Sequence, residues 1–441
     1  MQPLKPLPLS VSDFATMSDG GYAYVDNTDV IAKLADCKCP YFLSRPHGFG
    51  KTTLLSTFHE LFANGTGRFK NLKLASSGFE LDKPVKVLHL DWGGTGRLDD
   101  HGFNSFVRHQ LKEQAEQNGI EFELGGDADI TNDFHSLLFS AEPQSLVLLI
   151  DNYDAVLGPP CRPNADLAQL VRTLTDFFNL LKSQYTKFHF LMVCGMRPYR
   201  MIRSFDLYDF GKVPENAVLT GYSEENLAVC FKDYLERAAE ILNQEDPDGS
   251  RFGGPFTVQK LTDRLKAEYL GWDFISLEDK FPQYFNPADI LGFLNNPAAG
   301  FKHYWAETEE ERGMIEVMQS FIKSRLEEAA GWKVKGDPVT PLFDPDFAVF
   351  LSSFDPTLLS DLPEGTYSWK RVMQQCGYLT FKIDEDAYNN PRSRYCKQLE
   401  LANKPVKQAW LRALLELTPD VIPVCFREQF CRLQEHYQGA G

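Results

Sequence analysis

The sequence contains few of the features that mark membrane-spanning or secreted proteins. Its strongest apolar stretches, near residues 145–150 and 188–196, are far shorter than the roughly 20 residues that a helix needs to cross a bilayer. The N-terminal segment is interrupted by proline at positions 3, 6 and 8 and offers no apolar core of a signal peptide. We therefore expect a cytoplasmic protein that does not contact a membrane.

Basic residues are also scarce. The 441 residues include 45 Lys and Arg against 61 Asp and Glu, which gives a formal net charge of -16. So acidic a surface is a poor general platform for phosphate backbones, although a local basic groove is compatible with it. The net charge therefore does not indicate nucleic acid as a partner, although it does not exclude one. The length suggests two or three domains.

The nine cysteines form no CxxC pair and have no nearby histidine partners. Cys37 and Cys39 are separated by one residue, and Cys425 and Cys431 lie six positions apart. This spacing argues against a zinc site and favours reduced thiols in a cytosolic protein.

Short apolar runs alternate with amphipathic stretches through the first half of the chain. This pattern predicts a parallel sheet with helical crossovers, and so an α/β fold. The predicted strands are 41–44, 85–91, 146–151, 188–194 and a short one at 217–219, and the predicted helices of this half include 51–63 and 165–182. Beyond residue 222 we predict helices at 226–242, 258–270, 314–330, 369–376 and 406–417, and a strand at 378–383.

The segment 44–53, SRPHGFGKTT, follows a predicted strand and opens a predicted helix, which is the context of a phosphate-binding P-loop. Gly50 permits close approach of the backbone, Lys51 can reach the phosphates, and Thr52 can place its hydroxyl on Mg²⁺. A strict P-loop has glycine where this chain has Arg45. The expected phosphate-binding residues are Arg45, Pro46, His47, Gly48, Phe49, Gly50, Lys51, Thr52 and Thr53.

The predicted strand 146–151 ends in Asp151. A carboxylate at this position can hold Mg²⁺ together with Thr52, as a Walker B aspartate does, and the alternative is a helix cap or turn residue. The two strands are about 100 residues apart in sequence, which is consistent with their lying side by side in the sheet.

Several blocks of this sequence resemble, in order, the predicted AAA-ATPase-like family, whose members are often fused to a C-terminal PD-(D/E)XK-type nuclease domain. The resemblance spans roughly residues 7–410, and its most specific part is the SRPxxFGK block, in which the family also replaces the first glycine by arginine. The matching blocks are LPLSVSDF, GYAYVDNTDVIAKL, YFLSRPHGFGKTTLLSTFHELF, VKVLHLDW, LVLLIDNYD, LTGYSEENL, YFNPADILGFL, HYWAET, CGYLTF and LANKPVKQAW.

One departure from this family concerns hydrolysis. Relatives carry glutamate after the Walker B aspartate, whereas this chain has Asn152. Asparagine can accept a hydrogen bond from water but cannot take its proton, and the loss of a positioned base costs on the order of 10²–10⁴-fold in rate. We therefore predict ATP binding with slow or absent hydrolysis, unless Asp154 substitutes. Relatives also often carry two arginines in place of His47 and Gly48.

A second departure lies at the C-terminus. Residues 385–441 contain no E-x-K triplet in a strand context, so the nuclease module of the family is expected to be missing.

Other residues carry two readings each. Arg197, after the strand 188–194, either reaches a phosphate or forms a surface salt bridge, and Cys194 is expected to be a plain buried cysteine. Tyr24 and Asp26 lie near the adenine by resemblance or precede a helix as caps. Asp91 either supports the metal site or caps a turn. His89 lies at the end of the same predicted strand as Asp91. We expect Arg200 and Arg203 to be exposed to solvent.

The resemblance implies an ASCE-type, AAA-like P-loop NTPase fold followed by helical and winged-helix-like modules. The expected domains are an ATPase domain at 1–222, a helical lid at 223–310, a winged-helix-like module at 311–385 and a helical tail at 386–441. The implied function is a nucleotide-dependent switch that binds ATP and Mg²⁺, with Asn152, Asp154 and Arg197 at the catalytic positions. The alternative is an interaction or DNA-associated scaffold with a vestigial nucleotide site. A protein partner or a second copy of the chain is left open.

Overall fold

The computed structural model describes most of the first 302 residues and shorter stretches beyond them. The described residues are 3–37, 39–126, 129–158, 165–199, 205–272, 283–302, 304, 315–323, 349–351, 378–381 and 397–418, with the single positions 326, 373, 422, 427, 430 and 431. Those up to Tyr234 form one compact unit, and those from Leu235 onward belong to a second.

The first unit is built on a five-stranded sheet in which every pair of neighbouring strands is parallel. The strands are β1 (Pro40–Ser44), β2 (Lys86–Asp91), β3 (Leu146–Asp151), β4 (Phe188–Gly195) and β5 (Tyr208–Asp209), in the spatial order β2-β3-β4-β1-β5. All six residues of β3 are buried, because its LVLLID sequence lies at a position covered on both faces. The α/β class and the parallel sheet predicted from the sequence are thus confirmed.

Helices cover both faces of this sheet. The helices of the first unit are α1 (Phe14–Asp19), α2 (Thr28–Asp36), α3 (Lys51–Asn64), α4 (Asp100–Gln117), α5 (Ile130–Ser140), α6 (Leu167–Ser183), α7 (Pro214–Ala217) and α8 (Glu224–Cys230). One core cluster contains residues of α4, α5 and α6, and another contains residues of α1, α2 and α3. The sheet is therefore a buried middle layer, and polar residues lie at its carboxyl edge.

Three details differ from the sequence expectations. The strand predicted at 217–219 is absent from the described residues there; Pro214 begins the helical turn α7, since its fixed φ suits the first helical position, and the fifth strand is β5. β4 lies between β1 and β3, so the prediction that these two strands are neighbours was wrong. The helix predicted at 226–242 is divided between α8 and α9 (Lys232–Glu245).

The second unit combines helices with short antiparallel strands. After α9 it contains α10 (Val258–Tyr269), β6 (Leu270–Trp272) paired with β7 (Tyr284–Phe285), α11 (Pro287–Asn295), and the sheet of β8 (Val349–Leu351), β9 (Leu379–Phe381) and β10 (Lys397–Leu401), before α12 (Lys404–Leu415). Residues 315–323 are helical, in the predicted helix 314–330. Apart from position 373, the predicted helix 369–376 lies outside the described residues, as does most of the winged-helix-like module at 311–385. The domain boundaries stay predictions.

Among the described residues, no helix combines the length and the apolar character that a bilayer crossing requires.

Candidate functional site

The loop 45–50 connects β1 to α3 at the carboxyl edge of the sheet. Gly48 and Gly50 adopt φ angles of 76° and 83°, in the left-handed region that favours glycine. Gly50 is the residue immediately before α3, which runs for 14 residues. The loop thus delivers the backbone N–H groups at the start of α3, with the positive end of the helix dipole, to the sheet edge.

Lys51, the first residue of α3, is buried against this loop. Its Nζ donates hydrogen bonds to the carbonyl oxygens of Arg45 and Pro46, each at 2.9 Å. These contacts hold the loop curved around the ammonium group. Lys51 as a whole residue is only 6% exposed. A fixed positive charge therefore sits within the curve of the loop.

Thr52 and Asp151 bring α3 and β3 together. The Thr52 hydroxyl donates to Asp151 Oδ2 at 2.6 Å, although the two residues are 99 positions apart. Burial raises the pKa of the fully buried Asp151 carboxyl, while the Thr52 hydrogen bond and the charge of Lys51 oppose that rise. The side chains predicted to hold a metal are thus in direct contact.

The guanidinium of Arg45 contacts a segment far along the chain. Its Nη2 donates to the Gly211 carbonyl at 2.7 Å and its Nε to the Thr220 hydroxyl at 3.1 Å. A side chain at Gly211 would collide with this group, because an added Cβ would lie 2.7 Å from Arg45 Nη1. The arginine at the position of the missing glycine therefore anchors the segment 211–220 beside the loop. Nothing in the sequence alone identified Thr220 as its partner.

Asn152 follows Asp151 with a φ of 53°, a conformation that asparagine tolerates better than most residues. Its Nδ2 donates to Asp91 Oδ1 at 2.9 Å, so the side chain reaches across to the end of β2. Gly93 N also donates to Asp91 Oδ1, at 2.8 Å. Asp91 thus caps a turn, as one sequence reading expected, and holds the Asn152 amide as well.

Asp154 and Arg197 are paired in the interior. Asp154 Oδ1 accepts from Met196 N at 3.0 Å, and Oδ2 accepts from Arg197 N at 3.0 Å and from Arg197 Nε at 3.3 Å. Arg197 Nη2 also donates to the Gly158 carbonyl at 2.8 Å, and both partners are 3% exposed. Arg197 thus forms a salt bridge, as one interpretation of the sequence expected, but the pair is buried and not at the surface.

Tyr153 completes this network and was not singled out from the sequence. Its hydroxyl donates to the Arg197 carbonyl and accepts from Tyr199 N at 3.0 Å, and the side chain is fully buried. The chain from Met196 to Tyr199 is thus tied to the turn after β3. The sequence signal for this role is the position of an aromatic residue among the polar residues 151–154, directly after an apolar strand.

The remaining loop residues differ in exposure. Pro46 and Phe49 are buried, His47 and Thr53 are half-buried, and Gly48 is exposed. The Phe49 carbonyl accepts from Gly221 N at 3.3 Å, which adds a second link between the loop and the segment after residue 211.

Residues with alternative readings are placed as follows. Asp26 accepts hydrogen bonds from Thr28 N at 3.0 Å and Lys73 N at 2.8 Å, which is a capping arrangement at the start of α2. Tyr24 is half-buried. Cys194 is fully buried, and burial raises the pKa of its thiol. Arg200 and Arg203 lie outside the described residues.

The Thr52 hydroxyl and the Asp151 carboxylate suit a cation whose other ligands are phosphate oxygens and waters. Within the described part of the chain, no three His, Cys, Asp or Glu side chains cluster as metal ligands. Mg²⁺ is commonly held by one or two protein oxygens while phosphates and waters complete its octahedron. The Thr52 hydroxyl and the Asp151 carboxylate match that requirement, and a cation there would offset the cost of burying Asp151.

Comparisons with known proteins indicate a family for the N-terminal part of the chain. Residues 8–203 match the family model described as "Predicted AAA-ATPase". The chain is also 25% identical over 418 residues to an uncharacterized protein encoded in the vnfD 5' region of Azotobacter chroococcum mcd 1, a match that covers 93% of this chain and 70% of the relative. The family suggests nucleotide binding. The match of residues 8–203 supports a predicted AAA-ATPase-like family for this part of the chain.

Proposed function

We propose that the protein binds ATP with Mg²⁺ at the carboxyl edge of the sheet. The observation that carries the proposal is the 2.6 Å hydrogen bond between Thr52 and Asp151, next to an ammonium group held by the loop 45–50. Helix start, lysine, hydroxyl and carboxylate are the components that bind a nucleoside triphosphate and its metal in P-loop proteins. The family of residues 8–203 supports the same ligand.

Each residue has a distinct role in this proposal. The backbone N–H groups at the start of α3 bind phosphate oxygens, and Lys51 moves from the loop carbonyls to the phosphates. Thr52 and Asp151 would hold Mg²⁺, which supplies charge neutralisation at the phosphates.

We further propose that hydrolysis is slow. Asn152 stands where relatives have glutamate, and its amide is already bonded to Asp91. Asp154 is a poor substitute because both of its carboxylate oxygens accept hydrogen bonds from residues 196 and 197. For the same reason we assign Asp154 and Arg197 to holding the turn after β4 and not to contacting the phosphates.

Slow hydrolysis suits a switch whose state is set by nucleotide occupancy. Arg45 and Phe49 link the loop to the segment 211–221, which leads directly into α8 (Glu224–Cys230). A change in loop conformation on phosphate binding would therefore act on the chain that connects the N-terminal and C-terminal parts. We propose that this coupling sets their arrangement.

Thermal unfolding with and without nucleotide tests the binding proposal. At a nucleotide concentration of about 100 times Kd, binding stabilises the native state by about 2.7 kcal/mol, which raises Tm. We expect ATP with Mg²⁺ to raise the Tm of the wild type, and Lys51→Ala to abolish the rise. Lys83→Ala, a change of an exposed lysine between β2 and the preceding helix α3, is the matched control and should keep it.

The same experiment separates the scaffold alternative. A wild type whose Tm does not respond to ATP, and which instead binds DNA with an affinity that falls steeply with salt, contradicts the nucleotide site.

A further inference from the structure

Asp91 lies beside the proposed magnesium ligand. It is the last residue of β2, and in the parallel pairing of β2 with β3 its register partner is Asp151. Adjacent strands lie about 4.8 Å apart, so the two acidic residues end neighbouring strands at the same edge. The backbone confirms this proximity, because Trp92 N donates to the Asp151 carbonyl at 3.0 Å.

The Asp91 carboxylate is held in one orientation. Oδ1 accepts from both Gly93 N and Asn152 Nδ2, at 2.8 and 2.9 Å. A side chain at Gly93 would disturb the pair, since an added Cβ would lie 3.1 Å from Asp91 Oδ1 and 3.4 Å from Asn152 Nδ2. Because Oδ1 carries both of these bonds and the residue is exposed, Oδ2 can meet water at the edge of the site.

We propose that Asp91, a solvent-exposed carboxylate bonded to Asn152, accepts the proton of the attacking water in the slow hydrolysis of ATP. The inference rests on the proposed nucleotide site. Asn152 then has a positioning role: it anchors Asp91 by donating from Nδ2. Asp91 ends the strand next to the one that Asp151 ends, and its side chain contacts Asn152.

The step balances as a simple hydrolysis. The water oxygen forms a bond to the γ-phosphorus, and the bond from that phosphorus to the β,γ-bridging oxygen breaks, with its electron pair leaving on ADP. One water proton passes to Asp91 Oδ2 and later to solvent, and the other stays on the released phosphate. Asp91 and ADP are unchanged in oxidation state.

Asp91→Asn is a precise test because the amide oxygen still accepts from Gly93 N and Asn152 Nδ2, while the proton acceptor is lost. We expect phosphate release in single-turnover assays with γ-labelled ATP to fall by roughly 100-fold or more, the range for a lost general base. Nucleotide affinity, the Mg²⁺ concentration that supports half-maximal binding, and unfolding stability should stay close to wild type. Asp99→Asn is the matched control: Asp99 is also exposed and caps α4 through Gly102 N at 2.7 Å.

Asn152→Glu adds a readout that a structural role would not change. Introduced into Asp91→Asn, it should restore phosphate release, because it places a carboxylate at the family's usual position. The inference is overturned if Asp91→Asn releases phosphate at the wild-type rate. It is also overturned if the double variant does not release phosphate faster than Asp91→Asn. A changed Mg²⁺ requirement in Asp91→Asn also overturns it, by assigning Asp91 to the metal.

Failure of the two proposals can be told apart. If ATP binds but wild-type release equals that of Lys51→Ala, the role of Asp91 is wrong and the nucleotide site stands. If ATP does not bind at all, the proposed function itself fails.

Discussion

Arg45 and Thr220 are joined by a hydrogen bond of 3.1 Å between a guanidinium Nε and a hydroxyl, across 175 positions of the chain. Both residues are buried. The arginine that interrupts the glycine pattern of the loop is therefore a structural anchor, whose guanidinium donates hydrogen bonds to the Thr220 hydroxyl and to the carbonyl oxygens of Gly211 and Ser44. The arginine that departs from the strict P-loop sequence thus holds the segment 211–220 beside the loop.

Replacing Arg45 by glycine should consequently harm the protein, although it restores the strict motif. The change leaves the Gly211 carbonyl and the Thr220 hydroxyl without this donor, and we expect a loss of about 3 kcal/mol in the free energy of unfolding. Urea denaturation measures it. Arg172→Ala, at an exposed arginine on α6, should change stability by less than about 0.5 kcal/mol. An Arg45→Gly protein as stable as wild type contradicts the anchor.

The buried pair Asp154–Arg197 predicts strong coupling between its members. Breaking a buried ion pair by removing one partner typically costs about 3–5 kcal/mol, because the other charge is left uncompensated. Asp154→Asn and Arg197→Met should each destabilise by amounts of this order, and the double variant by clearly less than their sum. Unfolding free energies of the four proteins give the coupling energy. Additive losses would show that the pair is not an interacting unit.

The lowered pKa of His89 should make the folded protein less stable at acid pH. Burial and the neighbouring His59, whose ring lies 5.6 Å away, lower the pKa of His89 to about 4. In the unfolded chain the pKa is near 6.5, so the unfolded state binds the proton first as the pH falls. Stability is then lost between about pH 6.5 and pH 4, by up to about 3 kcal/mol at roughly 1.4 kcal/mol per pH unit.

His89→Gln removes this titration, and its unfolding free energy should fall less steeply across the same window. His59 and the carboxylates still titrate, so part of the slope remains. Equal slopes for the variant and the wild type would contradict the lowered pKa of the half-buried His89.

The local elements of the first unit could be predicted because their apolar patterns are strong. The helix predicted at 51–63 begins at Lys51, where the structure begins it, and the strand 146–151 matches at both ends. Both stretches carry enough buried apolar residues that tertiary contacts reinforce the local pattern. The two ligands predicted for the metal belong to these elements, which explains why the prediction brought them to one edge.

Long-range relationships could not be read from the sequence. The order of strands depends on which face each crossover helix covers, so the position of β4 (Phe188–Gly195) between β1 and β3 was missed. Helices α4 (Asp100–Gln117) and α5 (Ile130–Ser140) were not predicted, although the buried residues of α4 recur at the helical spacing of four, at Phe103, Val107, Leu111 and Ala115. The partners of Arg45 and Asp154 lie far from them in sequence, and no local rule indicates such contacts.

Isothermal titration calorimetry with ATP and Mg²⁺ tests the central claim most directly. We predict that the wild type binds one ATP, that Lys51→Ala removes detectable binding, and that Asp151→Asn removes the dependence of affinity on Mg²⁺. Circular dichroism should show that both variants are folded. Absence of binding heat from the wild type at millimolar ATP and Mg²⁺, or unchanged binding by the folded Lys51→Ala protein, would contradict the account.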